Sequence, residues 1–326
     1  MSTNTEPDGG TQLDSLASLS TIVADTGEIE EIKRFRPHDC TTNPSLLLKA
    51  AQLDAYQDLV NEAVAWGRGR TGSREGDITA VMDRLAVGFG RELLAIVPGY
   101  VSTEVDAALS FDTEGSIEKA RHFIRMYEEL GVSKDRVLIK LASTWEGIEA
   151  ARVLQREGIN CNMTLIFSLS QAVACAQAGA FLVSPFVGRI TDWYKAKEGR
   201  DFEPSEDPGV RSVQSIYDYF KAYDLETIVM AASFRTTGQV LELAGCDRLT
   251  ISPQLLEELQ GREGSVAKQL DAARSRSKDV PELAVDEPSF RWQLNEDPMA
   301  TEKLAEGIRR FHQDALKLRE HIATLV

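Results

Sequence analysis

What this sequence lacks narrows it first. No apolar run approaches the ~20 residues that a bilayer-spanning helix needs. The opening stretch MSTNTEPDGGTQLD has neither a basic n-region nor an apolar h-region, so it does not read as a secretory signal. There is no CxxC pair. The four cysteines, Cys40, Cys161, Cys175 and Cys246, stand singly, which fits reduced thiols in a cytoplasmic protein better than a disulfide framework. The four histidines, His38, His122, His312 and His321, show no HExxH or other paired spacing. Without a clustered ligand set a dedicated metal centre is not expected. Positive charge is also scarce: 36 Lys and Arg against 51 Asp and Glu leave a formal net charge of −15. Nucleic-acid binders carry a basic stripe, so neither a nucleic acid nor an anionic membrane is an expected partner. An anionic substrate has to be captured by locally placed arginines, because the overall field repels it.

What is present is a chain of 326 residues, 43% hydrophobic, long enough for two average domains or one α/β barrel. Eight segments read as strands: 21–24, 39–41, 100–105, 136–141, 159–165, 181–184, 227–231 and 248–251. The later ones are near-continuous apolar runs, as parallel strands covered on both faces require. Helical patterns at 116–130, 145–157, 168–178 and 236–244 each run into a glycine, a favoured C-cap. A helix, glycine, strand rhythm repeated this often predicts βα units, and eight of them predict a (β/α)8 TIM barrel over an open doubly wound sheet. Further helices are expected at 46–66 and 77–96, and a long amphipathic one at 298–325, beyond the last strand. Residues 1–20 read as a disordered polar lead and 21–326 as one barrel domain. Segments 199–208 and 262–288 read as surface loops or an insertion.

Two motifs are decoys. Gly67-Arg68-Gly69-Arg70-Thr71-Gly72 matches GxGxxG, but it follows the helix-like LVNEAVAW. A dinucleotide site needs that motif directly after a strand, so a flexible loop is expected. Asn162-Met163-Thr164 matches a glycosylation sequon inside an apolar strand, so no glycan is expected.

Barrel enzymes carry their catalytic groups at the C-terminal ends of the strands. The polar residues there are Asp25, Asn43, Glu104, Lys140, Asn162, Thr164, Ser184, Arg189, Ser233 and Arg235. Lys140 is the sharpest, because it interrupts VLI-K-LA, a run otherwise suited to full burial. Burying an ammonium is costly unless it is paired or deprotonated, and a desolvated lysine is a usable nucleophile. A lysine that snorkels from the strand end or pairs with a carboxylate accounts for the same residue. Asp25 and Glu104 suit a general acid and base, but taken singly each is more commonly a helix N-cap, a loop charge or a salt-bridge partner. Arg189 and Arg235 each follow an apolar strand. Their forks match phosphate oxygens, or a surface carboxylate.

Two further stretches narrow the choice. TTNPSLL at 41–47 and LIKLASTWEGI at 138–148 resemble the two signatures of transaldolases. VADTGEI, PGYVSTEVDAALSFDT, GINCNMTLIFS, SPFVGRITDWY, ASFRTTGQVLELAGCDRLTISP and NEDPMATEKLAEGIRRF are similar to the bacterial type of that family. The likeness runs from about residue 21 to the C-terminus, with 262–286 divergent. It implies a (β/α)8 barrel enzyme of the pentose phosphate pathway that needs no cofactor, with Lys140 as the Schiff-base lysine. By the same resemblance, Asp25 acts on the C4 hydroxyl during carbon–carbon cleavage. Glu104, Thr164 and a water shuttle protons as the carbinolamine forms and dehydrates. Asn43, Asn162 and Ser184 hold the dihydroxyacetone unit, and Arg189, Ser233 and Arg235 hold phosphate. Sugar-phosphate substrates, a cytoplasmic location and a homodimer are further expectations. Two rivals stay open: an aldolase that cleaves fructose 6-phosphate without transfer, and a catalytically dead barrel used as a scaffold.

Overall fold

In the computed structural model, which describes residues 10–326, all eight anticipated strands form. They are β1 (Thr21–Asp25), β2 (Asp39–Thr41), β3 (Val101–Glu104), β4 (Val137–Ala142), β5 (Cys161–Ile166), β6 (Leu182–Pro185), β7 (Ile228–Ala231) and β8 (Arg248–Ile251). Each pairs in parallel with the next, and β8 returns to β1, closing the barrel in sequence order. Helices lie between the strands, so the architecture is a (β/α)8 barrel.

Successive side chains on a strand face opposite sides. Ile22, Ala24, Val137, Ile139, Leu141, Cys161 and Met163 belong to the main core, shared with the surrounding helices. Their alternates point into the barrel, where Val23, Leu138, Leu182 and Met230 form a separate small core at mid-height. Below it, Arg248 Nη1 lies 2.5 Å from Asp39 Oδ2, and Asp39 Oδ1 accepts a 2.8 Å bond from the Tyr100 N–H. The guanidinium also lies over the Tyr100 ring, 5.3 Å from its centroid. Above the apolar layer the inward residues turn polar. At that rim Asn43, Thr144, Ser168 and Thr236 each cap the following helix by accepting a backbone N–H.

The helix Pro298–Ala323 crosses this rim. Met299, Ala300, Leu304, Ile308 and Phe311 pack on Leu165, Phe167, Phe186 and Ile190, while Leu318 and Ile322 pack on Val81, Leu85 and Phe89. Gly307 permits the approach, since a Cβ there would run into Leu165 and Arg189. Its far end is tied by Arg68 and Arg74, which donate to the carbonyls of Leu325 and Ala323.

Several expectations need correction. Within the supposed lead 1–20, residues 1–9 lie outside the described residues, but Gln12–Ala17 is a helix with a capping box at Thr11 and a fully buried Leu16. It is ordered because Gln12 N–H bonds the Arg262 carbonyl and Ser15 Oγ accepts the Val266 N–H. The helix expected at 46–66 is two, Pro44–Ala51 and Gln57–Gly67, with a 3-10 turn, Asp54–Tyr56, between them. Tyr56 causes the break: its hydroxyl donates to Gly27 O at 2.9 Å and accepts Ile29 N–H at 2.6 Å, fixing the turn against the loop after β1. The 236–244 helix stops at Leu241, and 262–288 includes the helix Ala272–Arg276. The GxGxxG segment is a loop, but a pinned one: the N–H groups of Gly69 and Thr71 donate to the Asp77 carboxylate at 2.6 and 2.8 Å. Asn162, the sequon asparagine, is fully buried, and all four cysteines are buried and unpaired. Among the described residues, no helix is long and apolar enough to cross a membrane.

The Asp39–Arg248 pair gives a stability prediction. Asp39→Ala strands a largely buried guanidinium, 11% exposed, and a backbone N–H. Removing one partner of a buried ion pair costs about 3–5 kcal/mol. The urea unfolding midpoint should fall accordingly; a loss within the ordinary surface range, below ~0.5 kcal/mol, refutes the assignment.

Candidate active site

Strand register assembles the site. In the ladder, Lys140 on β4 stands beside Glu104 on β3 and beside Asn162 on β5. Two residues farther along, Ala142 pairs with Thr164, while Asp25 on β1 pairs with Thr41 on β2. Neighbouring strands lie ~4.8 Å apart, so side chains at matched heights meet. Lys140 Nζ is 3.0 Å from Glu104 Oε2, and both side chains are buried. The same Nζ donates to the Thr42 carbonyl at 3.3 Å. Asn162 donates to Ser102 Oγ at 2.9 Å and accepts from Ser184 Oγ at 2.6 Å, which locks its amide in the barrel.

Backbone irregularities aim two of these groups. Between Met163 and Ile166 the β5–β6 register shifts, and Leu165 there has φ 57°. This bulge sends Leu165 up to the helix Pro298–Ala323 and leaves Thr164 Oγ1 buried without a protein partner. Ser233 has φ 63°, a left-handed conformation that costs a non-glycine residue energy and is concentrated at functional sites. Its carbonyl accepts the Gly188 N–H at 2.6 Å, joining the end of β7 to the helix Gly188–Glu198 that carries Arg189.

Asp25, Asn43, Lys140, Thr164, Ser184, Arg189, Ser233 and Arg235 all line one cavity of about 370 Å³. Glu104 adjoins it through its ion pair with Lys140, and Asn162 through its bond to Ser184. The side-chain amide oxygen of Asn43, Oδ1, is used as a helix cap, accepting the Leu46 N–H at 3.0 Å, so its NH₂ remains for a ligand. Arg189 lies over the rings of Phe186 and Phe311, 5.0 and 5.4 Å from their centroids, with Nη1 buried and without a protein partner. Arg235 is held by Asp192 Oδ2, at 3.2 Å from Nε and 2.8 Å from Nη2, and by Ser233 Oγ at 3.3 Å from Nη1.

The electrostatics are opposed and local. Burial holds the carboxyls of both Asp25 and Glu104 above their ordinary range, and the charge of Lys140 only partly offsets it. Burial, and then the neighbouring Arg310 and Arg235, disfavour the charge on Arg189. Three guanidiniums around one cavity, one with an unpartnered buried donor, make an anion site inside a chain of net charge −15.

Sequence reasoning missed several lining residues. Thr41 and Thr250 are inward polar residues at strand ends, so the rule that singled out Lys140 reaches them too. Phe186, Arg310 and Phe311 had no such signal. The last two reach the cavity only because the helix Pro298–Ala323 crosses the rim, where Phe311 sets its ring centroid 5.7 Å from Lys140 Nζ.

The profile of the family described as transaldolase/fructose-6-phosphate aldolase matches residues 22–322. A protein named transaldolase from Aliivibrio salmonicida is 58% identical over 313 residues, covering 96% of this chain and 98% of that protein. One of the same name from Aeromonas salmonicida is 58% identical with the same coverage. Another from Rhizobium rhizogenes is 57% identical, covering 96% of this chain and 97% of its own.

The carboxyl of Asp25 yields a pH prediction. A carboxyl whose pKa rises on folding binds its proton more tightly in the folded chain. The associated stability is present below the unfolded pKa, about 3.9, and is lost as pH rises through the raised value. Asp25→Asn abolishes that loss. Its unfolding midpoint should exceed that of the wild type near neutral pH, by the ~0.5–2 kcal/mol typical of relieved functional strain, and the gap should close toward pH ~4. A gap independent of pH would contradict this origin.

Proposed function

The chain belongs to the transaldolase/fructose-6-phosphate aldolase family, and on that premise we propose that it transfers a dihydroxyacetone unit between sugar phosphates through a Schiff base on Lys140. The donors are sedoheptulose 7-phosphate or fructose 6-phosphate. The acceptors are glyceraldehyde 3-phosphate or erythrose 4-phosphate. This is the transaldolase step of the non-oxidative pentose phosphate pathway. The observation that carries the reading is the buried Lys140 amine, 3.0 Å from the Glu104 carboxylate, in a cavity that three arginines also line.

The geometry suits each step. The Glu104 carboxyl, 3.0 Å from Lys140 Nζ and pushed by burial toward its neutral form, is placed to accept the lysine's proton as the reaction begins. The amine adds to the ketose carbonyl. Glu104, with Thr164 and a water, then protonates the carbinolamine hydroxyl, which departs as water and leaves the iminium. Asp25 takes the C4 hydroxyl proton, the C3–C4 bond breaks, and its electrons move into the iminium to give an enamine. Asn43, Asn162 and Ser184 hold the hydroxyls of the three-carbon unit. Arg189, Ser233 and Arg235 hold the phosphate, which leaves with the aldehyde. The acceptor aldehyde reverses the sequence. We also propose a homodimer working in the cytoplasm, a reducing compartment that suits four buried, unpaired thiols.

Borohydride added with fructose 6-phosphate should fix an adduct on Lys140, found by mass spectrometry; an adduct on another lysine, or none, overturns the reading. Without an acceptor, glyceraldehyde 3-phosphate should appear as a burst of one equivalent and then stall. Continuous release would identify an aldolase without transfer. Asp25→Ala should slow cleavage by the ~10²–10⁴-fold that a general acid–base group supplies, while Lys140 still captures ketose. Equal loss of capture and cleavage would refute the division of roles.

A further inference from the structure

A second cavity, of about 120 Å³, meets the catalytic pair from another side. Lys140 lines the substrate cavity, whereas Glu104 lines this one. Its walls come from the helices Pro44–Ala51, Arg74–Leu94, Thr113–Glu129 and Pro298–Ala323. The last of these divides the two spaces. Arg310 and Phe311 turn to the substrate, and His312, Ala315 and Leu316 turn to the second cavity. It runs from the Glu104 side chain, 5% exposed, to Asp106 and His312, 44% and 41% exposed, whose Oδ1 and Nδ1 lie 3.8 Å apart. Asp83, Lys119 and Arg319 complete its charged lining. Beyond the ion pair with Lys140, the buried Glu104 Oε2 has no hydrogen-bonding partner in the protein, and the buried His312 Nδ1 has none either. A space of this volume with several polar groups can hold water.

Schiff-base chemistry on Lys140, the proposed function on which this inference rests, creates a need for such a space. Dehydration breaks the C2–O bond. The nitrogen lone pair forms the C=N bond, and the hydroxyl takes the Glu104 proton and leaves as water. In the second half-reaction a water must add back to the iminium carbon and return a proton to Glu104. At both moments the substrate cavity is filled by a sugar phosphate. We propose that the second cavity is a water port: the water of dehydration leaves through it past Glu104, and the water of hydrolysis arrives the same way. Asp106 and His312 stand at its solvent end, and Ala315 and Leu316 set its width.

The test uses fructose 6-phosphate labelled with oxygen-18 at C2, in ordinary water, with enzymes that all carry Asp25→Ala, so that the Schiff base forms and reverts without cleavage and the substrate cavity stays filled. With the port open the expelled water escapes, and the fructose 6-phosphate recovered should carry solvent oxygen, after correction for exchange without enzyme. Ala315→Leu fills the port from within, and Leu316→Trp covers it from the exposed end, where a larger side chain is tolerated by the fold. Each should return the same water to the iminium, so that most recovered substrate keeps its label. With Asp25 intact, each should also slow Schiff-base formation in single turnovers by about tenfold, with the C3–C4 cleavage rate unchanged. Ala315→Ser, similar in size, should match the open port. Label retention that stays at the open-port level in both plugged variants overturns the port. So does equal slowing of cleavage and Schiff-base formation. If no adduct forms on Lys140 at all, the underlying reaction has failed instead, and the two failures are told apart by the borohydride trap.

Discussion

The site depends on one register. Lys140 is level with Glu104 on one side and Asn162 on the other, because β3, β4 and β5 pair in parallel at those heights. A slip of one residue in β4 would send Lys140 into the shell of helices and bring Leu141 into the barrel. The outward packing of Val137, Ile139 and Leu141 against the surrounding helices resists that slip. So does the inward core of Val23, Leu138, Leu182 and Met230. The apolar alternation that stabilises the barrel is thus the device that aims the amine.

That placement is electrostatically expensive, and the surrounding groups show how it is tolerated. A buried ammonium needs a counter-charge, and Glu104 supplies it at 3.0 Å. The carboxyls of Glu104 and Asp25 are in turn held up by burial, with Lys140 the main charge drawing them back. Neither carboxyl is comfortable as an isolated anion, which is the condition a proton carrier needs. Arg189 carries the opposite discomfort, packed between Phe186 and Phe311 and crowded by Arg310 and Arg235. Glu306 and Glu104 offset it in part, and a bound anion would offset it further. The net charge of −15 does not decide what this cavity attracts, because the arginines act within a few ångströms while exposed charges farther off are screened.

The barrel was legible in the sequence because its strands are short apolar runs set off by glycine-ended helices, and all eight emerged. Two helices that escaped notice, Ile29–Phe35 and Pro253–Gln260, are only about two turns long, whereas Pro208–Ala222 has 15 residues with one buried face, a pattern that was there to read. The break at Tyr56 was illegible for another reason: it is made by contacts to Gly27 and Ile29, on a different part of the chain. The same division runs through the site. Lys140, Asn162 and Thr164 stood out as polar residues inside apolar strands, a local signal. Arg310 and Phe311 are ordinary members of a long amphipathic helix, and only its crossing of the barrel rim brings them to the cavity. Asp192, which holds Arg235 from the helix Gly188–Glu198, was equally invisible. Residues on strands announce themselves because a buried polar group is rare there. Residues brought in by helix packing do not.

The helix Pro298–Ala323 also lies between the cavity at Lys140 and the cavity at Glu104. An enzyme that keeps a three-carbon enamine between two aldehydes has to admit water to the C–N bond and yet give it no free passage through the substrate cavity. Excluding all water would strand the adduct, since hydrolysis consumes one. This helix presents Phe311 to Lys140 and, one residue later, His312 to the space beside Glu104. Adjacent residues on a helix point about 100° apart, so a single element can face an apolar ring to Lys140 and a polar group to a separate cavity. Gly307 lets that element sit low enough to do both.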